Sequence, residues 1–335
     1  VATRSGSQRP RTRRGRARKA VSTAQAIQQG RRKTAWVFAG GGSLGAVQVG
    51  MLKALARSKA VPDLVVGASV GAINGAYFAG RPNAAGVAAL EQIWLGIRQE
   101  DVFPVGLRSG VAVLIGHRNY LVDPSSLAGL IGKLLPFQKL EEARLPCYVV
   151  ATDIYNGHEV CFSEGEARKA VLASASIPAV FPPVPYGDRY LVDGGVANNT
   201  PISTAVELGA ERIVVLPTGF SCSISQPPPS LVAMALHALN LMIMKQLVRD
   251  IAVLSRRAEI VVVPPLCPVE ITPYDFSQTA SLIERAERST LQWLKEGGLQ
   301  PGEIPHALLP HNDADDPDVP YVVPRPAQRR KARGT

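Results

Sequence analysis

A serine framed by glycines, Gly67-Ala68-Ser69-Val70-Gly71, stands between an apolar run at residues 63–67 and a small-residue helical stretch at 70–79. In a strand-to-helix turn of this kind, glycines at the Gly67 and Gly71 positions let the backbone fold back tightly and the serine hydroxyl projects from the strand end. The helix N-terminus behind it favours developing negative charge. The chemistry this suits is acyl transfer, for which Ser69 needs a base to take its proton and donors to hold an oxyanion. A second glycine cluster, Gly40-Gly41-Gly42-Ser43-Leu44-Gly45, follows the apolar residues 34–39 and exposes backbone amides with no side chain in the way. Such amides suit a phosphate or an oxyanion. A dinucleotide fold would place a ribose-binding acid about 20 residues further on, at the end of the second strand. Here the serine motif occupies that place and the nearest acid, Asp63, begins the strand. Leu44-Gly45-Ala46 lacks the Lys and Ser/Thr of a P-loop, so the cluster reads as an oxyanion loop.

A third motif, Leu191-Val-Asp193-Gly194-Gly195-Val-Ala-Asn198-Asn199-Thr-Pro201, places an acid in a glycine turn. Taken alone it is a β-turn in which Asp193 bonds to its own backbone. Its company gives it weight, because the histidines offer no better base. His306 and His311 lie in a Pro-rich stretch, His237 falls in an apolar helical run, His158 follows Asn156-Gly157 in an apparent hairpin, and His117 sits in an irregular segment. The α/β-hydrolase topology places several strands before the serine elbow, whereas one candidate strand precedes residues 63–67. Asp193 is the leading candidate for the base.

The elements that must position these residues alternate. Apolar strand candidates at 34–40, 63–67, 147–152, 212–216 and 259–263 are separated by helical patterns at 45–58, 70–79, 87–97, 125–135, 202–208 and 231–254. Strands apolar throughout and alternating with helices predict a three-layer α/β sandwich, a mostly parallel central sheet flanked by helices. The helix containing Leu241, Met242 and Leu247 is apolar around much of its circumference, which favours core packing over a membrane surface. Residues 101–124 break the rhythm and are either a lid or a plain surface excursion.

The formal net charge of +10 belongs to the chain ends. Residues 1–33 carry 11 Lys/Arg and residues 325–335 carry 5, neither with an acid, which leaves 21 Lys/Arg against 27 Asp/Glu in residues 34–324, a net charge of −6. Residues 1–33 are expected to be a disordered basic tail, 34–299 the catalytic domain, and 300–335 a Pro-rich, largely irregular tail. The basic tail is either a solvated extension or a contact for anionic lipid or nucleic acid, while the acidic folded domain is not expected to bind nucleic acid. The four cysteines show no CxxC spacing, so neither a disulfide framework nor a zinc site is expected. No run reaches the roughly 18 apolar residues of a membrane span, and a cytoplasmic or peripheral membrane location is expected.

The three motifs, in this order and spacing, resemble the patatin-like phospholipase family, over roughly residues 36–294. The resemblance extends to Ala173-Ser174-Ala175-Ser176-Ile177-Pro178 ahead of Phe181, to the turn at residues 199–201, and to Asp275-Phe276-Ser277 leading into a final helix. It implies a patatin-like fold and a lipid acyl hydrolase with Ser69 as nucleophile and Asp193 as general base. Backbone amides of Gly41, Gly42 and Ser43 would form the oxyanion hole, the substrate would be a lipid or other ester, and no metal or cofactor would be needed. Leu44 stands where many members carry Arg or Lys, which leaves simple esters and neutral lipids open as substrates beside phospholipids. A catalytically silent module that binds lipid or a partner is the competing reading.

Overall fold

Successive residues of a strand point to opposite faces, and in β1 (Thr34–Phe38) both faces are apolar. Trp36 and Phe38 enter one hydrophobic cluster, with Val65, Val214 and Leu216, while Ala35 and Val37 enter a second, with Val66, Ile213 and Val215. A sheet with apolar side chains on both faces must be covered twice, and the chain supplies the covers in order. The computed structural model describes residues 32–58, 60–104, 120–219, 227, 231–267, 269, 271–300 and 305. The expected tails therefore lie almost wholly outside the described residues, as do positions 105–119 of the expected lid or excursion.

From β1 the chain passes through a 3-10 turn (Gly42–Leu44) into α1 (Gly45–Arg57), then β2 (Leu64–Ala68), α2 (Val70–Gly80), α3 (Ala84–Gly96) and the short α4 (Gln99–Val102). It continues through α5 (Ser125–Leu134), β3 (Cys147–Asp153), β4 (Glu159–Phe162), α6 (Ala167–Ser174), β5 (Val184–Tyr186), β6 (Arg189–Asp193), α7 (Gly195–Asn198) and α8 (Ile202–Glu207). The last elements are β7 (Arg212–Leu216), α9 (Leu231–Leu254), β8 (Glu259–Val262) and α10 (Thr279–Lys295). The sheet has eight strands in the order β5-β6-β3-β2-β1-β7-β8, with β4 paired to β3.

The expected α/β sandwich is present. β8, β7, β1, β2 and β3 run parallel, with α1, α2, α3, α5, α6 and α10 contributing to the first cluster and α8 and α9 to the second. All five strands expected from sequence form. Three antiparallel strands, β4, β5 and β6, were not expected as strands, and β6 changes the third motif. Asp193 is not in a loop turn: it is the last residue of a strand, and Gly194-Gly195 lead straight into α7. The expected core role of α9 holds for one face only, since Leu247, Ile251 and Leu254 are buried while Leu241 and Met242 are exposed.

The pairing around β3 brings the site together. Val150 pairs with Ala68 of β2 and with Cys161 of β4, whereas Ala151 pairs with Val160 of β4 and with Asp193 of β6. A strand has two edges. Because β4 runs along one of them through both residues, β2 and β6 must share the other. They approach it from opposite directions and stop at adjacent residues of β3, so the ends of β2 and β6 face each other. The junction is fixed by Thr152, whose Oγ1 donates to the Asp193 carbonyl at 2.8 Å and accepts from the Ala197 amide at 3.1 Å. Thr152 is buried, so Thr152→Val takes away the donor to the buried Asp193 carbonyl and the acceptor of the part-buried Ala197 amide. The expected cost is about 1–3 kcal/mol, to be read from denaturant unfolding against wild type.

Candidate active site

Ser69 follows β2 and serves as the residue before α2, with φ 54° and ψ −130°. A non-glycine residue in that region carries on the order of 1–3 kcal/mol of backbone strain and persists only where its surroundings over-determine it. Here the Ser69 amide donates to Ser174 Oγ at 2.9 Å, and the Ser69 carbonyl accepts from the amides of Ala72 at 2.9 Å and Ile73 at 3.3 Å. Gly71 lets the elbow close, because a Cβ there would lie 2.2 Å from the Phe38 carbonyl oxygen of β1.

Across the junction, Asp193 Oδ2 accepts a hydrogen bond from Ser69 Oγ at 2.7 Å, and Asp193 Oδ1 accepts from the Gly195 amide at 2.7 Å. Both side chains are nearly closed to solvent, Ser69 at 7% and Asp193 at 5% exposure. The segment after α6 ties the two halves together. Ser174 Oγ donates to the Val150 carbonyl at 2.5 Å, the Ser174 carbonyl accepts from the Gly194 amide at 3.1 Å, and the Ser176 carbonyl accepts from the Asp193 amide at 2.9 Å. Ser174 therefore holds the Ser69 backbone with its hydroxyl and the Asp193 segment with its carbonyl. Nothing in the sequence marked that double role, although its Ala-Ser-Ala-Ser-Ile-Pro setting is part of the family resemblance.

Among the described residues no cation partners Asp193. Burial raises its carboxyl to about 6, and the hydrogen bonds from Ser69 and Gly195 offset part of that rise. Burial and then the charge of Asp193 raise the Tyr274 phenol to about 12, which keeps it protonated beside the carboxylate.

The glycine loop reaches the same place. Gly40 lies so close to Ser69 that a Cβ on it would come within 2.9 Å of Ser69 Cβ. The Gly40 amide donates to the Asn199 carbonyl at 3.0 Å, and the Gly40 carbonyl accepts from Thr218 Oγ1 at 2.7 Å. Gly42 has φ 58° and packs on the Pro273 carbonyl, where any side chain would collide. The expectation for Ser43 needs correction, since its amide already donates to the Pro273 carbonyl at 2.8 Å. Among the described residues the amides of Gly41 and Gly42 have no protein acceptor, and they remain available to a ligand oxygen. Leu44 is buried in the core and presents no charge to this site. Gly45, Gly67 and Gly194 do not line it but allow close approaches, to Val70, Gly71 and Val150 respectively, and Gly195 contributes its amide to Asp193 and lines the cleft.

Two spaces meet at Ser69. One is a cleft of about 510 Å³ that includes Gly41, Gly42, Ser69, Asp193, Asn199 and Tyr274 in its lining. The other, about 570 Å³, shares Gly42, Ser69 and Ile177 with the first and is otherwise walled by apolar side chains of α2, α3, α4, α5 and the α3–α4 and α4–α5 connections, together with Ala175, Phe181 and Phe276. His158 is exposed on the β3–β4 hairpin and His237 lies on α9, and neither lines either space. His117, His306 and His311 lie outside the described residues. Among the described residues no group of three or more His, Cys, Asp or Glu side chains could hold a metal ion, and no helix is long and apolar enough to cross a membrane.

Residues 36–206, just over half of the chain, match the Patatin-like phospholipase family, and the chain belongs to that family. Its relatives include patatin-like phospholipase domain-containing protein 7 of Rattus norvegicus, 29% identical over 190 residues, which span 55% of this chain and 13% of that protein. An uncharacterized NTE family protein of Mycobacterium tuberculosis is 33% identical over 166 residues, or 49% of this chain and 27% of its own. The chain thus matches less than a third of the length of these curated relatives. Among solved structures, human GIVD cytosolic phospholipase A2 in complex with methyl gamma-linolenyl fluorophosphonate gives a TM-score of 0.43 at 15% identity, covering 86% of this chain and 61% of that one. VipD from Legionella pneumophila gives 0.40 at 15% identity, covering 79% and 67%.

The raised Asp193 carboxyl has a stability consequence. A group whose folded value lies above its unfolded value of 3.8 takes stability from the fold as pH rises from below 3.8 through about 6. Ionising the carboxyl therefore costs the fold roughly 3 kcal/mol above pH 6, and Asp193→Asn removes that cost. The thermal midpoint of Asp193→Asn is expected to exceed that of wild type at pH 8 and to lose that advantage near pH 4. Parallel melting curves at the two pH values check this.

Proposed function

We propose that this chain is a lipid acyl hydrolase that cleaves carboxylic esters through an acyl-enzyme, with Ser69 as nucleophile and Asp193 as its general base. The observation that carries the reading is the 2.7 Å hydrogen bond from Ser69 Oγ to a buried carboxylate that has no cationic or histidine partner among the described residues. As Ser69 Oγ attacks the ester carbonyl, its proton passes to Asp193 Oδ2, and the carbonyl oxygen takes negative charge against the amides of Gly41 and Gly42. Collapse of the tetrahedral species breaks the bond to the alcohol, which leaves with the proton from Asp193. Water then enters, gives a proton to Asp193 and attacks the acyl-Ser69 ester, and the second collapse frees the acid and restores the Ser69 hydroxyl. Every proton removed is returned, and no metal or cofactor takes part.

Two features support this division of labour. A carboxylate raised to about 6 is a stronger base than an ordinary aspartate yet remains ionised at neutral pH. The strained elbow holds the hydroxyl in place before substrate arrives, so little reorganisation is left to the reaction. The large apolar wall at Ser69 supports a fatty acyl substrate over a small polar ester.

With p-nitrophenyl esters of graded chain length and a phospholipid, Ser69→Ala is expected to lower turnover on the order of 10³-fold or more, and Asp193→Asn comparably. The kcat/KM of wild type is expected to rise with pH through a midpoint near 6, reporting the free-enzyme base. Full activity in Asp193→Asn, or a midpoint near 4, would count against Asp193 as the base.

A further inference from the structure

We infer that the two spaces meeting at Ser69 divide the substrate, the acyl chain lying in the apolar cavity between α2, α3 and α5 and the alcohol in the cleft beside Asp193, with Leu130 among the residues that set acyl chain length. This rests on the hydrolase reading above and adds which part of the ester goes where. The decisive placement is that of the carboxylate. Asp193 lines the cleft and not the apolar cavity, whereas Ser69 and Gly42 line both. The departing alcohol oxygen must receive its proton from Asp193, so it must leave on the side Asp193 occupies. The acyl carbon stays bonded to Ser69 with its oxygen toward Gly41 and Gly42, and its chain is directed to the remaining side.

The chemistry of the walls agrees. Past Ser69 and Gly42 the cavity is bounded by Ile73, Trp94, Leu127, Leu130, Leu134 and Phe276, which offer an alkyl chain contact and an alcohol head group nothing to bond. The cleft instead presents Asn199, Asn240 and Tyr274, which can bond the polar part of an ester. The cavity is also a built wall and not a loose gap. Trp94 stacks near Phe276 at 6.3 Å, and its indole Nε1 donates to Asn74 Oδ1 at 2.9 Å. Asn74 Nδ2 donates to Gln48 Oε1 at 2.9 Å and to the Gly45 carbonyl at 3.0 Å, and Gln48 Nε2 donates to the carbonyls of Ala39 at 2.8 Å and Leu216 at 2.9 Å. Gln48, Asn74 and Trp94 are all buried, so the ring cannot swing away without stranding polar groups in the core. The same chain of bonds grips the strand end from which the glycine loop departs, so the acyl wall is tied by hydrogen bonds to the strand that carries the oxyanion loop.

Only the first turn of α2, through Val70 and Ile73, lines the cavity, while α5 contributes Leu127, Leu130 and Leu134. Leu130 is half-buried on that helix, where a larger side chain can intrude on the cavity with little disturbance of the core.

The experiment compares kcat/KM for p-nitrophenyl palmitate with that for the acetate. Leu130→Trp is expected to lower this ratio at least tenfold, and Leu130→Ala, which cannot overpack, to raise it. Leu239→Trp, on the cleft side, is expected to alter selectivity among octanoate esters of different alcohols. Binding of a dansyl-labelled undecanoic acid to Ser69→Ala, read by dansyl emission, is expected to weaken at least tenfold when Leu130→Trp is added, and melting curves confirm that each variant is folded. If no ester is cleaved but the labelled acid binds and Leu130→Trp weakens it, the hydrolase reading falls and the acyl cavity stands. If esters are cleaved while folded Leu130→Trp changes neither the ratio nor the binding, the division is overturned. It is likewise overturned if Leu239→Trp produces the chain-length effect, or if Leu130→Trp discriminates among long-alkyl acetates in place of long-acyl esters.

Discussion

β2 and β6 reach the same edge of β3 from opposite directions and stop at its adjacent residues Val150 and Ala151. Two strand ends placed in that way leave their next groups facing each other across a short gap, and those groups are the Ser69 elbow and the Asp193 carboxylate. The 2.7 Å bond between them therefore depends on sheet register before it depends on any side chain. A shift of one residue in either strand would turn its side chains to the other face and part the pair. Ser174, Thr152 and the carbonyl of Ser176 add hydrogen bonds that make the shift costly.

Burial around this junction sets the electrostatics. With no cation beside it among the described residues, the Asp193 carboxylate is disfavoured by desolvation and only partly compensated by the Ser69 and Gly195 donors. That tension makes it a better proton acceptor than a solvated aspartate. The amides of Gly41 and Gly42, which have no acceptor among the described residues, line the same cleft, on a loop whose position is fixed by Asn199, Thr218 and Pro273. The carboxylate and the amides are both held by backbone geometry, which leaves side chains around them free to shape the two adjoining spaces.

The parallel half of the sheet was legible in the sequence because each strand is continuously apolar and so must be covered on both faces. β4, β5 and β6 were not, since they are short and mix residues such as Glu159, Arg189 and Tyr190 with apolar ones, as strands with one solvated face do. The serine elbow and glycine loop could be placed from local spacing, as both occur where a strand feeds a helix. Asp193 could be named but its setting could not, because a DG pair signals a turn and only pairing with β3 makes it a strand end. The expectation for the Ser43 amide failed for a related reason. Its acceptor, the Pro273 carbonyl, comes from a distant part of the chain, and nothing near Ser43 announces it. Ser174 and Asn199 stand in segments that resemble the family, yet what they hold is visible only once β1, β3 and β6 are assembled.

The two halves of the junction are 124 residues apart along the chain. Contacts of such long range form late, since the entropy of closing the intervening loop must be met before they contribute. During synthesis the elbow at Ser69 can take shape with β1, β2 and α2 while the carboxylate is still unmade, and the chain then holds a serine without its acidic partner. Under the proposed function, ester cleavage would be a late-folding signal, one that reports the arrival of β6 on its edge more directly than it reports the formation of the parallel core.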